Sequence, residues 1–422
     1  MAARQTVGLV GTVAIGLASM LGAGVFVVFR EGYLLAGTWV WAALGLAALV
    51  AALNSSSVYR LARIIDRPGG TYAYARVFLG EGWSFAAGFA FVAGKIGSIA
   101  AIALALGEYV YAPARKWVGI AAIIVMTLIN VLGIQRTAGV AAVLAGVTTT
   151  FVLITVLLGL ALPVAPIAEV RLALPTEPSW YVITAASIFF FAFAGYARVA
   201  TLGNEVRDAK RNIPRAIVIV MAAVTVLYFG VLFVLQTWLR TNLAISEAPF
   251  VAFFDQALPG FGWVVLPVVI VATLGSILAL LAGVSRTAAE MASDRELPRV
   301  FEARNRFGSP WLSEVAIALG ASLLVSVADN LAWAIGFSSF AVLFYYAVAH
   351  LSVCFARDAG LDAVSGAVTR RFNPLARIAP IIGIALCLTL AMCVPGPAFA
   401  VSSTILIVAV AVRALLRPKL VR

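Results

Sequence analysis

Residues 187–216 read SIFFFAFAGYARVATLGNEVRDAKRNIPRA. The stretch opens as an apolar helix, with Ile188, Phe189, Phe190 and Phe191 in succession. It then meets Gly195, and beyond it Arg198 and Glu205. A basic loop follows, carrying Arg207, Lys210, Arg211 and Arg215. Asn212 with Pro214 predicts the cap and first turn of the next helix. A glycine among small residues and aromatics inside an apolar span marks a place where the helix can open. Opened backbone is tolerated at membrane depth only where it is buried in protein or lines a cavity.

The whole chain has the composition this stretch implies. Of its 422 residues, 63% are hydrophobic and 11% charged, whereas a soluble domain carries about 25% charged residues. It reads as an all-α integral membrane protein. The formal charge of +12 falls between apolar spans and forms no basic soluble domain, so it gives no sign of nucleic acid. Cys354, Cys387 and Cys393 all lie in apolar spans, which implies no disulfide framework. The first span contains glycines and runs past a signal-peptide core, so it reads as a retained helix.

A membrane helix needs about 20 apolar residues. Twelve spans are expected, at 7–29, 33–59, 83–111, 117–134, 138–163, 180–203, 213–238, 262–287, 311–328, 330–355, 376–394 and 397–415. With both termini placed in the cytoplasm, the inner segments hold 24 of the 30 Lys and Arg and the outer segments hold five. That asymmetry sets the expected orientation in the cytoplasmic membrane. Lys95 alone is left deep in a span.

The first span holds a second break, Ser19-Met20-Leu21-Gly22-Ala23-Gly24-Val25-Phe26. By itself it would read as a small-residue packing seam. There is also an internal echo. Phe78-Leu79-Gly80-Glu81-Gly82-Trp83 enters the third span and Leu258-Pro259-Gly260-Phe261-Gly262-Trp263 enters the eighth. Five spans separate the members of each pair, so the second copy is inverted. Interrupted spans in corresponding places of two inverted halves point to a transport site.

These residues resemble the amino acid–polyamine–organocation transporters. The resemblance rests on Phe193-Ala194-Gly195, an acid, a basic loop and Ile213-Pro214-Arg215-Ala216-Ile217. Arg67-Pro68-Gly69-Gly70-Thr71-Tyr72 and Asp294-Arg295-Glu296-Leu297-Pro298 resemble further loops of that family. The resemblance implies a leucine-transporter-like fold with two interrupted helices. Residues 1–422 would form one domain. Repeats 7–163 and 180–355 would each have five spans, broken at the first and the sixth, with two helices appended at 376–415.

An opened helix leaves N–H donors at the start of its second half, and its dipole favours an anion there. Gly22-Ala23-Gly24 would offer such donors to an amino acid carboxylate, and the first half of span six would offer carbonyls to its ammonium. Ser19, Phe191, Phe193 and Gly195 complete the expected site, the two aromatics serving as contacts and gate or as packing. Ser276, Ser338 and Ser339 are weaker candidates. Glu205 and Arg198 are expected at the inward gate, or as solvated and snorkelling charges. Glu108 reads as an interfacial charge, Asp329 as the cap of the tenth span, and His350 as a satisfied structural group.

Some of the family's residues are absent. Arginine exchangers carry a Trp about where Phe191 sits, a Glu at Ala197 and a Trp near Leu278. Proton-coupled bacterial members often carry a Lys midway along span five, where this chain has Thr148, Thr149, Thr150 and Thr155. Lys95 is the buried amine that could carry a coupled proton, meet an acidic substrate, or tie spans together.

The expectation is secondary active transport of amino acids by alternating access, coupled to protons or by exchange, with neutral or acidic substrates favoured. The alternative is a polyamine or other organic cation. An intramembrane enzyme would need clustered acids or histidines, and a channel a continuous lined pore. A single histidine argues against a multi-His metal site, and there is no Walker A loop for ATP. No cofactor or catalytic residue is expected; the partners are a small molecule, protons and the bilayer. Oligomeric state is not legible.

Overall fold

The computed structural model describes residues 7–65, 69–132, 138–164, 167–196, 206–358 and 374–420. Among these the chain is helical, with one isolated backbone bridge between Val7 and Val206. The helices are α1 (Leu9–Leu21), α2 (Val28–Ala36), α3 (Val40–Ile64), α4 (Thr71–Phe78), α5 (Glu81–Tyr111), α6 (Arg115–Val131), α7 (Ala138–Ala161) and α8 (Trp180–Phe193). They continue as α9 (Ala209–Leu239), α10 (Pro249–Ala257), α11 (Val265–Ser293), α12 (Trp311–Val327), α13 (Leu331–Asp358), α14 (Pro374–Met392) and α15 (Gly396–Leu420).

Among the described residues, seven helical stretches are long and apolar enough to cross a membrane: Leu9–Phe26, Val28–Ala62, Glu81–Val131, Arg211–Ala244, Gly262–Ser293, Leu331–Ala356 and Gly396–Leu416. Four shorter apolar helices accompany them, at Gly146–Ala161, Trp180–Phe193, Trp311–Val327 and Ile378–Met392. With no hydrophobic drive between helices in lipid, close packing must hold such a bundle, and small residues permit it. Gly94 and Gly97 of α5 sit against Ser338 and its neighbours on α13. Gly159 of α7 receives Val234 of α9, and Gly230 of α9 receives Val156 in return.

Several boundaries differ from the sequence reading. The first turn is not near residue 31, because α2 runs on to Ala36. Gly37 makes the reversal, at φ 52°. Its missing side chain leaves room for the Pro175 carbonyl, which a Cβ would approach to 2.1 Å. The helix expected to start at Asn212 starts a turn earlier. Asp208 takes a left-handed conformation at φ 47° and caps it. Its carbonyl accepts from Arg211 N and Asn212 N, both at 2.9 Å. Asp329 does not cap α13; Asn330 does, its Oδ1 accepting from Trp333 N at 2.9 Å.

The echo has a conformational counterpart. Gly80 at φ 88° separates the short helix α4 from the long α5. Gly260 at φ 83° separates the short α10 from the long α11.

Candidate functional site

The first break opens where α1 ends at Leu21. Gly22 leaves the helix at ψ −114°, a short 3-10 turn covers Gly24–Phe26, and α2 resumes at Val28. The new turn's first bonds run from Phe26 N to Ala23 O and from Val27 N to Gly24 O. The N–H groups of Ala23, Gly24 and Val25 therefore stand ahead of it. The second break follows α8, where Ala194–Tyr196 tightens into a 3-10 turn.

The two breaks lie against each other. A Cβ on Gly24 would stand 2.9 Å from Ala192 Cα. One on Gly195 would meet the Ser19 carbonyl and the Met20 nitrogen at 2.1 and 2.8 Å. Each opened helix thus uses a glycine to admit the other's backbone.

Tyr228 of α9 fastens this crossing. Its hydroxyl lies 2.7 Å from Met20 O and 3.1 Å from Ala192 O. These are last-turn carbonyls of α1 and α8, which have no partner further along their own helices. A single phenolic proton serves both, best aligned by distance with Met20. Tyr228 is fully buried and packs edge-on against Phe193 at 5.0 Å and Phe29 at 6.0 Å. Sequence reasoning missed it. The available signal was a phenol at mid-span, which needs a partner when buried.

The other expected residues are placed as follows. Ser19 is exposed, and its hydroxyl returns to its own helix at Ile15 O, 2.9 Å. Gly22 and Ala23 are buried. Phe191 keeps 8% of its surface exposed, and Phe193 none. The candidate hydroxyls are engaged between or along helices: Ser338 with Ser98, Ser339 with Ser187 O, and Ser276 with Ala272 O. His350 is buried between Ser57 and Asn54, at 2.8 and 2.7 Å. Arg198 and Glu205 lie outside the described residues.

Lys95 is buried, with 8% exposure. Gly94 and Gly97 beside it admit α13. The amine stands 5.9 Å from the centre of the Phe91 ring. Among the described residues it makes no ion pair.

Aromatic rings cover one side of the breaks. Phe26 packs against Tyr109, Phe151 and Phe250 at 6.2, 5.9 and 5.0 Å, and Phe254 stacks on Phe151 at 5.4 Å. Beyond the rings lies a charged group. Arg30 pairs with Glu31 at 3.1 Å, and Arg115 with Glu108 at 3.6 Å. Glu108 and Glu31 are each 7% exposed, buried within the protein. Arg115 is held in turn by Asp329 O at 3.2 Å.

An apolar helical bundle with two helices opened against each other fits a membrane transport protein. The amino acid permease family matches residues 7–416, and the chain belongs to that family. It is 38% identical to an uncharacterized transporter of Mycobacterium tuberculosis, over 97% of this chain and 90% of that one. It is 26% identical to the inner membrane transport protein YbaT of Escherichia coli K12, over 78% of each. It is 24% identical to the chloroplastic cationic amino acid transporter 7 of Arabidopsis thaliana, over 70% of this chain and 56% of that one. The protein is thus a helical permease that moves amino acids or related solutes across a membrane.

Proposed function

We propose that the protein is a secondary active transporter of neutral or acidic amino acids, working by alternating access at the crossing of the two breaks. The observation that carries this is the packing of the two breaks against each other, Gly24 on Ala192 and Gly195 on Ser19, with Tyr228 bridging Met20 O and Ala192 O. Carbonyls bind the ammonium and N–H groups the carboxylate, so a zwitterion is held with no charged side chain. Each carbonyl has a second lone pair, so an ammonium can join Tyr228 there. Ser19, Gly22, Ala23, Gly24, Phe191, Phe193 and Gly195 surround that place, with Arg198 and Glu205 as the inward gate.

The reading includes twelve spans with both ends in the cytoplasm, two inverted repeats at 7–163 and 180–355, and two appended helices at 376–415. The paired left-handed glycines Gly80 and Gly260 support the repeats. In this orientation the aromatic and charged layers close the outer side, and exposed Ser19 faces inward. Lys95 would carry the coupled proton or meet an acidic substrate side chain. A polyamine would want unpaired acids at the crossing, whereas the buried acids Glu31 and Glu108 are paired with Arg30 and Arg115.

Uptake by proteoliposomes across a panel of amino acids and amines, with and without a proton gradient, tests substrate and coupling. Gradient-driven accumulation of a neutral or acidic amino acid is expected; accumulation of amines alone overturns the reading. Cysteines placed at 113, 172 and 245 should label from outside in sealed cells. Those at 67, 209 and 303 should not, and external labelling at 209 would remove the topology.

A further inference from the structure

The loop between α11 and α12 carries four arginines and a strip of exposed apolar side chains. Arg299, Arg304 and Arg306 are exposed, as are Val300 at 58%, Phe307 at 42% and Trp311 at 39%. The loop's own acids do little to neutralise these arginines. Asp294 is taken by Arg76 and Tyr72. Glu296 is taken by Arg413 in a two-pronged pair at 2.6 and 2.9 Å. Glu314 is buried and accepts from Ser309 at 2.7 Å. Glu302 is the acid left on the exposed surface.

The loop is also built rather than loose. Asn305 turns inward and donates to Val131 O at 2.6 Å, while its Oδ1 accepts from Phe307 N and Ser309 N. Ser313 donates to Phe301 O at 2.8 Å. With Asn305 pinned, Arg304 and Arg306 on either side of it stay at the surface. The Arg306 guanidinium lies over the Phe307 ring at 4.7 Å. Both flanking helices are apolar, so their ends hold this loop at the level where a bilayer's headgroups begin. Basic heads beside apolar bodies match that layer, with guanidinium groups suited to phosphate.

We propose that residues 299–311 form a binding surface for anionic phospholipid headgroups, with Arg299, Arg304 and Arg306 on the phosphates and Val300, Phe307 and Trp311 in the acyl boundary. The cytoplasmic leaflet as the source of that lipid rests on the orientation given above; the surface itself does not. The chemistry favours anionic lipid over a second copy of the chain. A copy would bring another set of the same arginines to this patch.

Trp311 is a built-in probe. The full-length protein is placed in phosphatidylcholine nanodiscs containing a minor fraction of brominated phosphatidylglycerol or brominated phosphatidylcholine. The quenching component lost in Trp311→Phe is then compared between them. The phosphatidylglycerol form should quench at lower lipid fraction, by roughly tenfold for a few basic groups at an anionic surface. Arg299→Gln with Arg306→Gln should remove the preference, and Lys at both positions should retain most of it. Equal quenching by the two lipids overturns the proposal, as does a preference unmoved by the Gln pair. Quenching that tracks protein concentration and ignores the headgroup would assign the patch to a second copy and also overturn it. Both leaflets share one composition in a nanodisc, so this result is independent of sidedness. An Ala303→Cys label in sealed cells tests sidedness separately.

Discussion

Gly195 and Ser19 are in backbone contact: a Cβ on the glycine would stand 2.1 Å from the serine's carbonyl oxygen. Backbone cannot rotate aside as a side chain can. Gly195→Ala should therefore force the second break away from the first, at about 1–3 kcal/mol for an overpacked site. Uptake should fall at least about tenfold while the protein still reaches the membrane. Gly24→Leu meets Ala192 in the same way and should act alike. Normal transport by both variants would show that the breaks need not meet.

Tyr228→Phe removes the proton shared by Met20 O and Ala192 O. The ring contacts with Phe193 and Phe29 remain, so the fold should survive. Two buried carbonyls lose a donor, at about 1–3 kcal/mol. The expected result is a lower melting temperature in detergent together with weakened substrate affinity in an uptake assay. Unchanged affinity with only a lower melting temperature would make Tyr228 a structural fastener alone.

Lys95→Met should keep the fold, since the amine forms no ion pair among the described residues. Accumulation driven by a proton gradient should disappear, while downhill exchange persists. Lys95→Arg should rescue poorly, because a guanidinium keeps its proton. A Met variant that still accumulates substrate with an unchanged pH profile leaves Lys95 without a coupling role.

The outer closure should loosen when one member is removed. Arg115→Gln removes the ion-pair partner of buried Glu108, which should destabilise this layer although Arg115 itself is partly exposed. Phe250→Ala removes a ring that meets both Phe26 and Phe151. In a background lacking native cysteines, a Ser19→Cys probe should become reachable by an impermeant reagent from outside in either variant. Unchanged protection in both would place the barrier elsewhere.

The sequence made the apolar helices legible because each is written in consecutive residues. It also made the breaks legible, because the first, which alone would read as a packing seam, has a counterpart at Gly195 five spans on. What it hid was tertiary. Glu108 looked like a helix-end charge because Arg115, which pairs with it, is separated from it by a reversal whose geometry no local pattern shows. Tyr228 was one aromatic among many, and its importance lies in two carbonyls on other helices. The gap expected between residues 29 and 33 is instead a turn of helix, and the reversal comes at Gly37. Asp208 took the cap from Asn212 by adopting a left-handed backbone that sequence rarely predicts for a non-glycine residue.

The isolated bridge between Val7 and Val206 bears on how cleanly the machine cycles. Arg207 N donates to Val7 O at 2.9 Å, so the entry to the first span is stitched to the chain beyond the second break. With Gly24 on Ala192 and Gly195 on Ser19, the two opened spans are joined at two separate heights. Two segments tied at two places are expected to move together rather than independently. Slippage in a carrier arises when one flap lifts while the other stays shut, letting ions or solute pass uncounted. On the coupled transport proposed above, a pair tied at both places would have no such half-open posture.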